Sequence, residues 1–515
     1  MSVDPPTYLT ALQNNIRTRP IPWDGAVRAG TVLEWQLTKI RAVDKVKKDV
    51  RKQAIESDLD GYRILFSGGA GKDEPSVLQS AARRTDVVQY ILVLLNDLLE
   101  AIPSLARAIL APAQRQRGAQ DTQSSRADDP FRHILPLLAH SNNADDPIPL
   151  LTATVLTTLL ANARDESPAT LERALPALLS YLSTLAQQSA DAGLQDIGVL
   201  ESSSLLYGRA TRKQFWAQRS ETVAPLITIL RTAAGVSTSG GEDTAAGLWR
   251  ATGGGPNGGA AASSDAVASR FGALLEGSIG GGVGLQLLYH VLLVLWQLSF
   301  DAADIGDDLN EEYDFVLLAT QLLRLSPKEK TTRLLVATLL NLLSANRATL
   351  LPTAVLARLP ALLKNVAGRQ HADTDLQDDL QQLRDLLDEY TATKTTFDEY
   401  VAEVNTGHLR WSPPHRSTVF WAENARRILD EDNGAIPRKL ADIMAKPWDN
   451  DKAVLAIACN DIGALVREVP ERRSTLEKLG LKTRVMQLMG EADESVRWES
   501  LQALGGWLKY SFETK

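Results

Sequence analysis

Leucine and alanine recur at intervals of three and four along almost the whole chain, while alternating runs of β-branched residues are nearly absent. That spacing lines one face of an α-helix, so the pattern predicts an all-α fold. Four segments carry it clearly: FRHILPLLAH (131–140), IPLLTATVLTTLLANA (148–163), LERALPALLSYLSTLAQQ (171–188) and TTRLLVATLLNLLSAN (331–346). Each is apolar over half or more of its circumference and bounded by Pro, Gly, Asn or Asp. A helix with so wide an apolar face needs neighbours on two sides, which is the logic of a stacked solenoid.

The end of the chain repeats itself. DKAVLAIACNDIG (451–463) aligns with DESVRWESLQALG (493–505), 42 residues on, with Asp451/Asp493, Val454/Val496, Ile462/Leu504 and Gly463/Gly505 coinciding. A short apolar segment precedes each copy, KLADIM (439–444) and RVMQLM (484–489). An Asp ahead of a helix reads as its N-cap, and a period near 42 falls in the armadillo/HEAT range. The predicted architecture is therefore an armadillo/HEAT-like helical solenoid over residues 1–390 and a smaller helical-repeat domain over 391–515, divided near YTATKTT (390–396). A Gly/Ser-rich segment at 235–264 reads as a flexible surface loop between helices, with GSIGGGVG (277–284) following and QRQRGAQDTQSSRADD (114–129) as a polar connector.

Length supports more than one core, since 515 residues exceed the roughly 250–300 at which single cores stop growing. The net charge of −8 argues against a general nucleic-acid binder, which needs a basic excess. From Val401 onward the chain holds 17 Lys+Arg and 17 Asp+Glu, so the whole acidic excess lies upstream. The two parts thus present different surfaces to partners. The single cysteine, Cys459, excludes an internal disulfide and sits in an apolar run, as a buried small hydrophobe would. The N-terminus lacks a basic and an apolar signal region. The most lipid-like run, LQLLYHVLLVLWQL (285–298), is 14 residues long and carries Gln286, His290 and Gln297. It is too short and too polar to span a bilayer and reads as a core helix. A soluble, cytoplasmic protein with no membrane insertion is expected.

Candidate chemistry is sparse. FSGGAGKDEP (66–75) imitates a phosphate loop, but Phe66 stands where the first Gly belongs and Asp73 where Ser or Thr would follow the Lys. The GGGVG at 280–284 lacks the third glycine of a dinucleotide site. The six histidines form no HExxH or HxH pair, and Pro413-Pro414 breaks any helix that would join His408 to His415. No GxSxG occurs. The expectation is no catalytic residue, no cofactor and no metal: a non-enzyme.

One string stands apart. GHLRWSPPHRSTVFW (407–421) gathers two tryptophans, a phenylalanine and two histidines in a chain that is 6% aromatic. Ser412-Pro-Pro reads as a helix stop and restart, with VFWAENARRILDED running on from Val419. Trp411, Phe420 and Trp421 then form an aromatic clasp, either a packing staple or a hot spot for a partner.

This string, with TFDEYVAEVNT before it and the repeats after it, resembles the C-terminal region of the H-subunit family of the vacuolar-type proton-translocating ATPase. NNIRTRPIPWDGAVRAGTV (14–32), with Trp23, and LQLLYHVLLVLWQLSFD (285–301) resemble that family's N-terminal and central helices. The stretch 110–275 departs from the compact family pattern. The resemblance implies a non-catalytic regulator on the cytoplasmic face of the vacuolar or endosomal membrane, cytosolic when the pump's sectors separate. It implies partners among the other subunits: a peripheral stalk of paired helical subunits, the cytoplasmic half of the large membrane subunit, and the central rotor and catalytic subunits when detached. The N-terminal domain would activate the assembled pump. The C-terminal domain would couple it, and would silence ATP hydrolysis of the detached sector through a loop on the rotor. By its position between helices that loop is placed at Ala445–Asp451, comprising Lys446, Pro447, Trp448, Asp449, Asn450 and Asp451, the alternative being an ordinary inter-helix turn. A different armadillo/HEAT adaptor in trafficking or transport is the other reading; such proteins carry one Trp/Asn or acidic rung per repeat, and the ten tryptophans here are irregularly spaced.

Overall fold

The structure is a computed structural model that describes residues 7–69, 74–115, 129–141, 146–162, 168–236, 278–279, 283–326, 328–392, 396–448 and 451–512. Most of the Gly/Ser-rich segment, most of the polar connector, and residues 70–73 of the phosphate-loop-like string lie outside the described residues. The fold is all-α, as the leucine spacing predicts. A two-residue strand pair, Ser278–Ile279 with Val283–Gly284, is the sheet among the described residues. Contacts divide the chain into two compact units, residues 1–229 with 284–301, and residues 230–283 with 302–515.

The first unit is built on helices apolar around most of their circumference. The helices α1 (Thr85–Ala101), α2 (Pro147–Ala161), α3 (Pro168–Ala186), α4 (Ala192–Leu205) and α5 (Leu285–Leu298) pack in succession. In α2 almost every side chain is buried, so it must be covered on several sides. Gly198 lets α3 and α4 approach: a Cβ there would lie 2.7 Å from the Leu182 carbonyl oxygen. Polar rivets join α4 to α5, where His290 Nδ1 meets Asp196 Oδ1 at 2.5 Å and Gln297 Nε2 donates to the Ser203 carbonyl at 2.9 Å.

Three of the four predicted helices form within a few residues of their expected bounds. The fourth does not: 130–134 is turn and Leu135–Ala139 is a 3₁₀ helix. Pro136 supplies no backbone N–H in the middle of that ten-residue run, so it cannot sustain an α-helical ladder. The 285–298 run also corrects the sequence reading. Helical structure continues past Leu298 through Ser299–Asp301 to Tyr313, and Leu285–Tyr313 is long and apolar enough to cross a membrane by length and composition alone. Most of that apolar surface is buried inside the protein. Val291, Leu292, Val294, Leu295 and Leu298 are core residues, as expected of a core helix.

In the second unit α6 (Glu329–Ala345) packs on α7 (Arg347–Leu356) and α8 (Thr374–Ala392). Then follow α9 (Thr396–Thr406), α10 (Thr418–Asp430), α11 (Ala435–Ala445), α12 (Ala453–Glu468), α13 (Leu481–Leu488) and α14 (Glu494–Phe512). These six share one apolar core running from Phe397 to Trp507, with Cys459 inside it. Of the connector at 390–396, residues 393–395 lie outside the described residues. On either side of it, α7 packs against α9, and Arg410 reaches the Leu356 carbonyl at 3.4 Å. The two repeats are the α11–α12 and α13–α14 pairs. Asp493 caps the second as predicted, accepting from the Ser495 and Val496 amides at 2.9 and 3.1 Å. The first differs: α12 has Lys452 at the N-cap position and no side-chain cap.

Candidate functional site

The 407–421 string is held by a buried ion network that sequence reasoning missed. His415, on the short helix Pro413–Arg416, presents Nδ1 to both oxygens of Asp461 at 2.8 and 2.9 Å, and Nε2 to Glu403 Oε1 at 3.1 Å. A neutral imidazole has one N–H, whereas two carboxylates facing two ring nitrogens call for two, which is the imidazolium. Burial alone would depress His415, but Asp461 and Glu403 outweigh it and raise its pKa to about 10. The side chains are sealed, with exposures of 0% for His415 and Asp461 and 3% for Glu403.

The remaining lone pairs are filled locally. The Tyr400 hydroxyl donates to Asp461 Oδ2 at 3.2 Å, and Ser412 Oγ to Glu403 Oε2 at 2.8 Å. Glu403 Oε1 also accepts the Arg410 amide at 2.5 Å, and the His415 carbonyl takes Asn460 Nδ2 at 2.9 Å and Trp421 Nε1 at 3.3 Å. One glutamate thus fixes the chain at 410, 412 and 415. The constellation superficially resembles an acid–base site, but Ser412 points its hydroxyl at a carboxylate and no surface opens on the imidazole. Its role is to position the segment. Among the described residues no group of three or more His, Cys, Asp or Glu could hold a metal ion.

Two of the three clasp aromatics come together, with a partner the sequence reading did not name. Tyr400, Phe420 and Trp421 form a mutual cluster with ring centroids 5.3–5.4 Å apart, all buried. Ser417 starts α10 beneath them, its Oγ accepting the Phe420 amide at 3.1 Å. Trp411 stands apart, half-buried at the core's edge, with the Arg416 guanidinium 4.9 Å from its ring centroid. Tyr400 had a signal, since Phe397, Tyr400 and Val404 repeat at helical spacing and all three are buried. So had Asp461, a lone acid inside the apolar run VLAIACNDIGALV.

The structure joins the 407–421 string to the 446–451 loop. His408 packs edge-on against Trp448, with centroids 5.1 Å apart. Trp448 Nε1 donates to the Ile443 carbonyl at 2.7 Å and its ring rests on the core, so the indole is folded back rather than presented. Its backbone takes a left-handed φ of 51°, uncommon for a residue with a side chain. Lys446 Nζ lies 5.7 Å from the Trp448 ring centroid. Lys452 Nζ grips the Pro447 carbonyl at 2.8 Å, and the Asp451 amide donates to the Trp448 carbonyl at 3.1 Å. Asp449 and Asn450 lie outside the described residues. Burial, with Lys446 and Arg410 nearby, lowers His408 to about 4, so it meets Trp448 as a neutral ring.

Comparison with known proteins places both halves of the chain. Family models described as the V-ATPase H subunit match residues 7–387 and residues 393–512, including the 110–275 stretch where the sequence strays from the compact pattern. The chain is 33% identical over 227 residues to a Caenorhabditis elegans protein named as the first of two probable H subunits of the V-type proton ATPase, covering 43% of this chain and 49% of that one. It is 32% identical over 236 residues to the V-type proton ATPase H subunit of Drosophila melanogaster, covering 45% and 49%. These alignments span about half the length of those curated relatives. A Dictyostelium discoideum protein of the same name aligns at 22% identity over 510 residues, 98% of this chain and 96% of that one.

Proposed function

The chain belongs to the V-ATPase H-subunit family, and on that premise we propose that it is a non-catalytic regulatory subunit of the vacuolar proton pump. In this reading residues 1–390 form the activating solenoid of the assembled pump, bound to the paired-helix peripheral stalk and to the cytoplasmic half of the large membrane subunit. Residues 391–515 form the coupling domain, which rests on the rotor and catalytic subunits once the sectors separate and stops futile ATP hydrolysis. The protein works at the cytoplasmic side of vacuolar and endosomal membranes, and in the cytosol when the sectors are apart.

The observation that carries the regulatory reading is the construction of the 446–451 loop. A turn that merely connects two helices needs no such anchoring, yet the half-buried indole of Trp448 is bonded to α11 through Ile443 and braced by His408. The carbonyl of Pro447 is held by Lys452. Such bracing holds the Pro447–Trp448 arm of the loop in place, which suits a steric brake on a rotating partner. A brake acts only if it contacts one state more than the other. The test is ATP hydrolysis by the detached catalytic sector, with the full chain and with a chain ending at Glu389. Silencing by the full chain alone is the expected result; equal silencing by both would remove the C-terminal domain from this role.

A further inference from the structure

The repeat at the end of the chain points to a use for a face that the signature string and the 446–451 loop leave untouched. On α14, Trp498, Leu501, Gly505 and Leu508 follow one another at intervals of three, four and three, which sets them on one side of the helix. Trp498 is 60% exposed, and Leu501 and Leu508 are each 49% exposed. A Cβ built on Gly505 meets nothing within 4 Å. At the helical rise the stripe is about 15 Å long. The other side of α14 carries Val496, Ser500, Ala503 and Trp507, all buried in the domain core. The helix is therefore apolar on two sides and covered on one.

Single exposed apolar residues are ordinary, but the first repeat supplies a direct comparison for this stripe. The same positions 42 residues earlier are Ala456, Cys459, Gly463 and Val466, and all four are buried. The helix packed against that side of α12 is α14: a Cβ at Gly463 would come within 2.9 Å of the Ala503 Cα, and one at Gly506 within 3.4 Å of Val466 Cγ1. One repeat on, the stripe occupies the register where the next helix of the stack would lie. Stacked repeats bury their faces on neighbours, and a repeat without a neighbour carries a polar outer face. Here the outer face is apolar. Gly505 is a second mark of the same kind. A glycine inside a helix costs stability, and its counterpart Gly463 is where a neighbouring backbone comes close.

We propose that the Trp498–Leu508 face of α14 receives an α-helix of another pump subunit, stacked on α14 as α14 is stacked on α12. The occupant shares the chemistry of the face that covers α12, with a small side chain (Ala, Gly or Ser) opposite Gly505, as Ala503 stands opposite Gly463. The inference rests on the reading that this chain works within the pump. It gives the C-terminal domain a contact made by residues distinct from those of the 446–451 loop. A lipid surface fits less well. Interfacial helices carry Lys and Arg along their polar face, whereas the exposed polar side chains of α14 from 494 to 509 are Glu494, Ser495, Gln502 and Lys509.

The test uses the full chain with the assembled pump and with the detached catalytic sector, each prepared without it. Affinity is measured for the wild type, Trp498→Ala, Leu501→Glu and Gly505→Ala, with thermal midpoints as the folding control. The two side chains are on the surface and Gly505 faces open space, so no variant is expected to melt below the wild type. A loss of about tenfold in affinity for one of the two preparations, shared by all three variants, supports the face. Gly505→Ala discriminates most sharply: it is expected to raise the melting midpoint and yet weaken binding, which damage to the fold would not do. A photo-crosslinking residue in place of Leu508 is expected to join a helical segment of another subunit that carries Ala, Gly or Ser at helical spacing. If the wild type binds and all three variants bind equally well, the face is overturned while the regulatory reading stands. If the wild type binds neither preparation, that reading fails and the inference with it. Crosslinking to a second copy of this chain would assign the face to self-association and overturn the proposal. So would stripe-dependent binding to phosphatidylcholine vesicles with pump binding unaffected, which would assign it to lipid.

Discussion

At the scale of single residues, His415 decides the stability of the C-terminal core. Its imidazolium separates two buried carboxylates, so His415→Gln leaves Glu403 and Asp461 without their shared counter-charge. The expected cost is about 3–5 kcal/mol, read from urea unfolding, because removing one partner of a buried ionic group strands the others. The pH dependence has a definite sign. The folded pKa of about 10 lies above the ordinary histidine value near 6.5, so the stabilisation is complete below about pH 6.5. It declines as the unfolded chain sheds the proton the folded chain keeps, and it is gone above pH 10. His408 has the opposite sign. With a folded pKa of about 4, it destabilises the fold as pH falls from about 6.5 to 4, because only the unfolded chain takes up the proton there. Unfolding midpoints of the wild type should therefore fall away on both sides of about pH 6.5 as far as these two groups contribute. His415→Gln should flatten the alkaline limb and His408→Gln the acid limb; two unchanged limbs would refute both assignments.

At the scale of elements, the repeat that the sequence reveals is real in pattern but unequal in packing. Gly463 and Gly505 coincide in the alignment of the two copies, yet they do different things. A Cβ at Gly463 would come within 2.9 Å of the Ala503 Cα, where α12 and α14 press together, while a Cβ at Gly505 meets nothing within 4 Å. Gly463→Ala should therefore cost about 1–3 kcal/mol by overpacking. Gly505→Ala should stabilise by about 0.5–1 kcal/mol, since a glycine inside a helix wastes backbone entropy. Thermal melts of the two variants moving in opposite directions is the expected outcome. Leucine periodicity fixes a helix and its buried face, which is why α2, α3, α5 and α6 were legible within a few residues. It cannot report which face meets which neighbour, so the close approach at Gly463 was not legible. Nor was the network: Glu403, His415 and Asp461 are scattered over 59 positions of sequence, and only folding brings them into one contact. What the sequence offered was a hint, a histidine directly after a Pro-Pro pair and an acid in an apolar run, each a burial that a fold tolerates only when paired.

At the scale of the whole molecule, the 446–451 loop links the signature string to the proposed braking role, and the two can be separated by one substitution. Trp448→Ala removes the bond to Ile443 and the contact with His408 while leaving the network around His415 intact. The core keeps Ile443, Met444 and the α11–α12 packing, so the stability loss should be modest, about 1–3 kcal/mol for a half-buried indole. Released from its brace, the loop would sample many conformations, and its effective hold on the rotor would drop by the fraction of time it spends in the competent one. Inhibition of the detached catalytic sector should then weaken by about tenfold or more in half-inhibitory concentration, corresponding to a loop that is competent about a tenth of the time. Activation of the assembled pump, proposed for residues 1–390, should stay at the wild-type level. Equal loss of both functions would point to a folding defect that reaches the whole chain. Unchanged inhibition would mean that the indole braces an ordinary turn and that the brake lies elsewhere in the C-terminal domain.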